Sequence, residues 1–311
     1  MRRYFLRKIL HSLSIIFGVA LIIFTLFHVI GGDPVYEILG KYANAERAQD
    51  LRNEYGLNKP LWTQFILYLK QIVTFDYGRS YATRQSISEI LSNGIGPSLS
   101  LTLPAFVITT VLAVSISLFS AFFRGKLTDR LILLLSVLGM SVPVLAYILF
   151  GQYFLAYKLG LFPISGYAHS LGERISYLVL PVLIWIVINL GYDVRYFRVF
   201  ISKELNQDYV RTARAKGLSE VSVFTKHILR NSLVPILTNV VIQIPFLILG
   251  SLLIENFFSI PGLGSVIVDA INSRDFPVIK AMTTLVSMLF IIGHLITDLL
   301  YAVVDPRIKI Q

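Results

Sequence analysis

Apolar residues gather in six long runs along the chain, roughly Ile9–Ile30, Leu99–Phe123, Leu131–Leu155, Tyr177–Leu190 with its flanks, Leu233–Ile254 and Ile279–Val303. A helix needs about 20 apolar residues to cross a bilayer. Helices are predicted because an open sheet would leave backbone N–H and C=O groups unsatisfied in lipid. The fourth run has the shortest apolar core, with Arg174 and Asp193 crowding it. The first follows Arg2, Arg3, Arg7 and Lys8. It is too long for a signal-peptide core and no A-x-A site lies directly after it, so it is expected to remain as an anchor.

Between the first two runs the pattern changes. Ala45–Tyr55 is polar and helix-favouring, with Gly56 to stop it. Leu61, Trp62, Phe65, Ile66, Leu69, Ile72 and Val73 then recur at helical spacing, opposite Thr63, Gln64, Lys70 and Gln71. That pattern predicts an amphipathic helix lying on the membrane surface or on the spans, not a seventh crossing. Pro104, Pro143, Pro181, Pro235 and Pro245 fall inside the runs, where prolines are tolerated as kinks or packing features.

Composition agrees with the pattern. The chain is 55% hydrophobic and 15% charged, against about 25% charged for soluble domains, and its mean hydropathy is +0.70. With the N-terminus inside, segments 1–8, 124–130, 195–232 and 304–311, taken with the inner ends of the spans that hold Asp193 and Asp298, carry the whole net charge of +10. This is the positive-inside signal of topology, and it gives no reason to invoke nucleic acid. The chain has no cysteine, which excludes disulfides and thiol chemistry. Gly40-Lys41 and Gly125-Lys126 lack the rest of a phosphate loop, and no H-E-x-x-H or G-x-S-x-G is present, so no ATP site and no hydrolase site is expected in this chain.

The polar residues of the spans give one pair at i and i+4, His294 and Asp298. Structural pairing, lining of a substrate path and a proton relay are all open to it. Gln152, Asn239 and Gln243, with Asn189, are further polar positions in spans. Helix–helix hydrogen bonding and a place on a translocation path are both readings of them.

The most patterned polar segment is the loop 195–232. Leu205, Tyr209, Thr212, Ala213 and Lys216 lie near one another on a helical wheel, small residues recur at Thr212, Ala213 and Ala215, and Gly217 supplies a left-handed stop. A second helical stretch, Glu220–Asn231, then runs into the fifth apolar run. A short helix with a rigid link to a span suits docking of something outside the bilayer. Topology alone explains the loop's charge, but not the small-residue helix and its glycine.

Asp208-Tyr-Val-Arg-Thr-Ala-Arg-Ala-Lys-Gly-Leu-Ser219 followed by His227-Ile-Leu-Arg-Asn231 resembles the coupling loop of ABC-importer permeases, in particular the B-type membrane subunit of the dipeptide/oligopeptide/nickel group. Gly32-Asp-Pro-Val35, Tyr55-Gly-Leu-Asn-Lys-Pro-Leu61, Asp76-Tyr-Gly-Arg-Ser80, Glu255-Asn-Phe-Phe-Ser-Ile-Pro-Gly-Leu-Gly264 and Arg274-Asp-Phe-Pro277 agree with it, in order, over nearly the whole chain. Where the general importer pattern is E-A-A-x-x-x-G, this chain has Arg211-Thr212-Ala213 before Gly217, so no acidic contact is assigned at position 211.

The resemblance implies an all-α integral membrane protein of type I importer-permease fold, with six transmembrane helices and a large extracytoplasmic loop after the first. The division expected is one permease domain over 1–311: anchor 1–30, extracytoplasmic loop 31–98 and a five-helix core 99–303 that carries the coupling loop 195–232. It also implies coupling residues Asp208, Tyr209, Thr212, Ala213, Ala215, Gly217, Leu218, His227, Arg230 and Asn231. Implied partners are a paralogous permease, two cytoplasmic ABC ATPases that bind the ATP and Mg, an extracytoplasmic solute-binding protein and the lipid bilayer. No cofactor is expected in this chain. The implied place is the bacterial inner (cytoplasmic) membrane, with both termini cytoplasmic. Peptides lead as solute, with nickel or its complexes, glutathione and sugars behind. A self-sufficient proton-coupled secondary transporter is the competing class, and a membrane-embedded enzyme finds no convergent catalytic set.

Overall fold

A computed structural model describes residues 2–29, 35, 45–54, 56–168 and 170–304, without the side chains of 2–6, 29, 45, 47, 51, 54, 171 and 298–304. Among the described residues the chain is helical, with one isolated bridge between Arg79 and Ser86. Five helices among the described residues are long and apolar enough to cross a membrane, and a bent pair, Leu127–Ser141 and Val144–Lys158, makes a sixth if taken as one broken span. The architecture is therefore the all-α, multi-pass one that the apolar runs predict.

Two spans differ from their apolar runs. The second helix begins at Ile87, twelve residues before the run begins at Leu99, and ends at Phe122. Polar Ser88, Ser92 and Asn93 mark its first turns, because hydropathy registers the bilayer and not the helix. The third run is not one straight helix: its two halves meet at 91° around Pro143, whose extended backbone (φ −59°, ψ 142°) starts the second half. Pro104, Pro181, Pro235 and Pro245 sit inside continuous helices. Only where the residue before the proline is extended too, Val142 at ψ 126°, does the chain turn sharply.

The centre is built on the second span. Ser98, Thr102, Ala105, Thr109, Ala113, Ser117 and Ser120 form a buried stripe of small side chains along it, the surface that lets membrane helices approach closely. From this stripe Ser117 donates to the Val194 carbonyl (2.8 Å) on the fourth span, Leu171–Glu204, and Thr102 donates to the Leu247 carbonyl (2.7 Å) on the fifth, Leu229–Leu249. A Cβ on Gly191 would lie 2.6 Å from the Ser136 carbonyl oxygen, so glycine sets the approach of the third and fourth spans.

The first span, Arg2–Val29, is peripheral. It packs on the last, Phe276–Val304, and on the amphipathic helix Leu61–Thr74, whose Phe65, Tyr68 and Ile72 bury against Ala20 and Ile23. That helix rests on the span, and Trp62, Ile66 and Val73 are exposed. The polar helix before it, Ala45–Glu54, ends as the glycine predicts: Gly56 has φ +65° and Leu57 N–H returns to the Arg52 carbonyl at 2.8 Å.

Candidate functional site

The loop after the fourth span folds as a helix, Asp208–Ala215, then a stop, then a second helix. The stop is a Schellman turn: Leu218 N–H reaches the Ala213 carbonyl (3.3 Å), Gly217 N–H reaches the Arg214 carbonyl (2.9 Å), and Gly217 takes φ +77°. Ser219 then caps the next helix by accepting from Ser222 N–H (3.4 Å). Arg214 spans the turn with a two-pronged ion pair to Glu220 (2.8 and 3.0 Å). From Glu220 the chain is helical through Leu249, with a wider π-helical stretch over Val223–Ile228. Stretches of this kind recur at functional positions in helices.

One side of the short helix is packed. Val210 and Ala213 join Ile201, Val223, Phe224, Ile228 and Ala121 in a buried cluster, with Leu205 and Tyr209 against it. The ends of the second and fourth spans and the run into the fifth therefore meet under this helix. Tyr209 donates to a Glu204 carboxylate oxygen at 2.5 Å, and burial, then that hydrogen bond, push its hydroxyl up to about 12 against a lowering from Asn231. Arg211, Thr212, Arg214, Ala215, Lys216, Gly217, Leu218 and Val221 form the exposed side.

Of the loop residues singled out in the sequence, Asp208, Thr212, Ala215, Gly217, Leu218, Arg230 and Asn231 are exposed, and Tyr209 and His227 are partly buried. Ala213 is 4% exposed. Its small size serves close packing on the protein itself, not a partner's cleft, and Val210 beside it is the anchor that the small-residue argument passed over.

Below the loop lies a buried ion pair. Arg198 on the fourth span holds Asp129 at the start of the third with two 2.8 Å hydrogen bonds; Ser120 Oγ (2.6 Å) and Gly125 N–H (2.9 Å) donate to the same carboxylate. Three spans are tied together directly beside the loop. In the sequence these residues were only charges to be assigned to a side.

The polar span residues divide instead of converging. Gln152 donates to the carbonyls of Phe257 (2.9 Å) and Ile164 (3.2 Å), which pins the end of the third span away from the loop. Asn239 and Gln243 lie beside the buried Asp193, though the Asn239 Nδ2 makes no hydrogen bond of good geometry. His294 is exposed, edge-on to Phe290 with ring centroids 4.8 Å apart. The Asp298 side chain, and with it the His294–Asp298 pair, lies outside the described residues.

At the opposite end of the bundle the segments that carry the resemblance meet one another. Glu255 is fully buried and accepts from Ser98 Oγ (2.8 Å), Ser251 N–H (3.1 Å), Gly264 N–H (2.7 Å) and Ser265 N–H (3.3 Å). Asp275 accepts from Ser80 Oγ, Tyr81 N–H (3.1 Å) and Ala82 N–H (3.2 Å). The Asp76–Ser80 and Arg274–Pro277 segments are thus two halves of one junction.

With this geometry in place, comparison with known proteins defines the class. Residues 113–310 match the binding-protein-dependent transport system inner membrane component family, and residues 1–102 match the N-terminal family of the same transport-system membrane components. The chain belongs to this family: it is a permease subunit of an ABC importer, a multi-pass membrane protein and a transport component, not an enzyme. It is 33% identical to the dipeptide transport system permease protein DppB of Alkalihalophilus pseudofirmus, covering 99% of this chain and 100% of the relative. The glutathione transport system permease protein GsiC of Shigella flexneri is 33% identical, and that of Salmonella paratyphi A 34%, each with 99% of both chains covered. The family implies work alongside ATPases and a substrate-binding protein.

Proposed function

We propose that this subunit forms, with a paralogous permease, the translocation path for di- or oligopeptides across a bacterial cytoplasmic membrane. Its loop 206–231 receives one of two cytoplasmic ATPases, which bind the ATP and Mg. Both termini then lie in the cytoplasm, and an extracytoplasmic binding protein delivers the solute to the other face. The names of the relatives support peptides as solute, and glutathione, a tripeptide-like solute, as the nearest variation.

The observation that carries the coupling role is the two-sided helix Asp208–Ala215. Val210 and Ala213 fix it to the ends of two spans and to the run into a third, while Thr212, Ala215, Leu218 and Val221 face outward. Force applied to the exposed side is passed on through close-packed side chains, which have little slack. Arg211 and Thr212 stand where the general pattern has acidic and small residues, so the contact relies on shape and on backbone approach at Gly217.

The test is Gly217→Asp in the assembled importer, read as co-purification of the ATPases and as uptake of a labelled dipeptide. Loss of either is expected. An importer that keeps its ATPases and full uptake in this variant would remove the loop from the coupling path. The solute is tested separately, by identifying the ligand carried by the cognate binding protein.

A further inference from the structure

The third span breaks at a depth where bare backbone is costly. Asp129, in the buried ion pair beside the coupling loop, marks the loop-side end of this span, and from there to Ser141 the helix rises about 18 Å. A hydrocarbon core is about 30 Å thick, so the 91° bend after Ser141 falls within it. The break is held from several sides. Tyr147 Oη donates to the Gly139 carbonyl (2.8 Å), Ser136 lies close on Gly191, and Gln152 fixes the second half to the carbonyls of Phe257 and Ile164.

Other backbone groups at the break find no partner. Among the described residues, the carbonyls of Met140, Ser141 and Val142 and the N–H groups of Val144 and Leu145 make no hydrogen bond. Met140, Ser141, Val142, Pro143 and Leu145 are exposed. This subunit therefore leaves the break uncovered, and lipid, the paralogous permease or an aqueous path must meet it. Irregular backbone at membrane depth occurs only where protein covers it or water lines it. Lipid is ruled out.

We propose that the break lines the aqueous path of the solute, and that the free carbonyls of Met140, Ser141 and Val142 receive the N–H groups of a peptide in transit. The inference rests on the peptide-permease role proposed above. A peptide main chain carries donors and acceptors alike, and the break offers free groups of both kinds. No side chain from Val137 to Phe150 is charged, so this surface holds a main chain without selecting among side chains. Membrane helix interfaces are instead built on small residues and close packing. Val142 and Pro143 interrupt the helical surface on which a paralogous span would pack.

The chain has no cysteine, so one introduced thiol is the only one in the subunit. The experiment uses the assembled importer in vesicles, a charged methanethiosulfonate on both sides of the membrane, and the wild-type importer as background. Thiols react as thiolates, which an apolar setting suppresses. Val142→Cys is expected to react within about a hundredfold of Lys126→Cys on the exposed loop before the third span, two pKa units of thiolate suppression at most. Alanyl-alanine, supplied with the binding protein and ATP, should slow the reaction because the solute covers the break. Ser141→Cys serves if Val142→Cys does not assemble. Slower reaction would overturn the proposal, and a disulfide to a cysteine in the paralogous permease would then identify that subunit as the cover. Rapid reaction that alanyl-alanine leaves unchanged would overturn the solute contact. Uptake is measured in the same vesicles. If the wild-type importer takes up no alanyl-alanine, the peptide reading fails, while the rate at Val142→Cys still decides whether the break meets water.

Discussion

Gly217 and Gly250 share a backbone sign and almost nothing else. Gly217 has φ +77° and nothing within 4 Å of where a Cβ would sit; Gly250 has φ +72°, and a Cβ there would lie 1.7 Å from a Glu255 oxygen. The first stops a helix in a loop whose outer side is open. The second turns the chain back at the far end of the fifth span, around a carboxylate whose partners are all internal. One end of the molecule is fixed on one side only and leaves a surface to be used. The other is closed on itself. The proposed coupling role uses both, since a moving contact transmits force only against a part that does not yield.

The largest effect is expected at the closed end. Gly250 has ψ −163°, a region essentially reserved for glycine, so alanine costs about 1–3 kcal/mol in backbone strain alone. Displacing Glu255 adds an overpacking cost of about 1–3 kcal/mol. Gly250→Ala should therefore sharply reduce the amount of subunit found in the membrane and its thermal midpoint. Wild-type values for both would show that the turn yields more readily than its packing implies.

Glu255→Ala relieves the crowding but orphans the N–H groups of Ser251, Gly264 and Ser265. Buried donors left unsatisfied cost about 1–3 kcal/mol each, so a loss of about 3 kcal/mol or more is expected by thermal unfolding of the purified importer. Glu255→Gln keeps one acceptor oxygen and should recover part of it. If glutamine and alanine behaved alike, the hydrogen bonds would not be what holds the turn.

Much of this architecture was legible in the chain, and the gaps have physical causes. Apolar runs locate bilayer crossings because lipid leaves the backbone no other partner. They do not locate helix ends outside the bilayer, which is why residues 87–98 read as loop. There Gly94 packs so tightly on Leu263 that a Cβ would come within 2.8 Å of it, a contact invisible in one dimension. Pro143 reads like four other prolines until Val142 is seen to be extended. In the loop, Gly217 announced the stop correctly, but which face of the helix was buried depended on Val210, whose neighbours are 13 to 89 residues away in Val223 and Ala121. Asp129 and Arg198, or Ser80 and Asp275, meet across long separations, and a single sequence carries no sign of such pairings. Family resemblance flagged the segments at the end opposite the loop without saying that they touch.

At the open end smaller effects follow. Gly217→Ala meets no neighbour, so its cost is that of a left-handed residue with a side chain, about 1–2 kcal/mol, and it should be mostly local. Hydrogen exchange in residues 213–222 should quicken while the global midpoint barely moves. A fall in midpoint as large as that of Gly250→Ala would erase the contrast between the two glycines.

The smallest stability change is expected from the Arg214–Glu220 pair, and it separates fastening from docking. The side chains are 43% and 48% exposed, and exposed pairs contribute about 0–1 kcal/mol even with good geometry. A double-mutant cycle of Arg214→Ala and Glu220→Ala should thus give a coupling energy below about 1 kcal/mol, falling further at high salt. The turn does not need the pair, because the Schellman bonds and Ser219 already close it. Should either single variant uncouple ATP hydrolysis from uptake while stability stays unchanged, the pair's importance would lie in the shape it presents outward. A coupling energy of several kcal/mol would instead make this loop a closed structure like the Glu255 turn, and no longer the yielding half of the comparison.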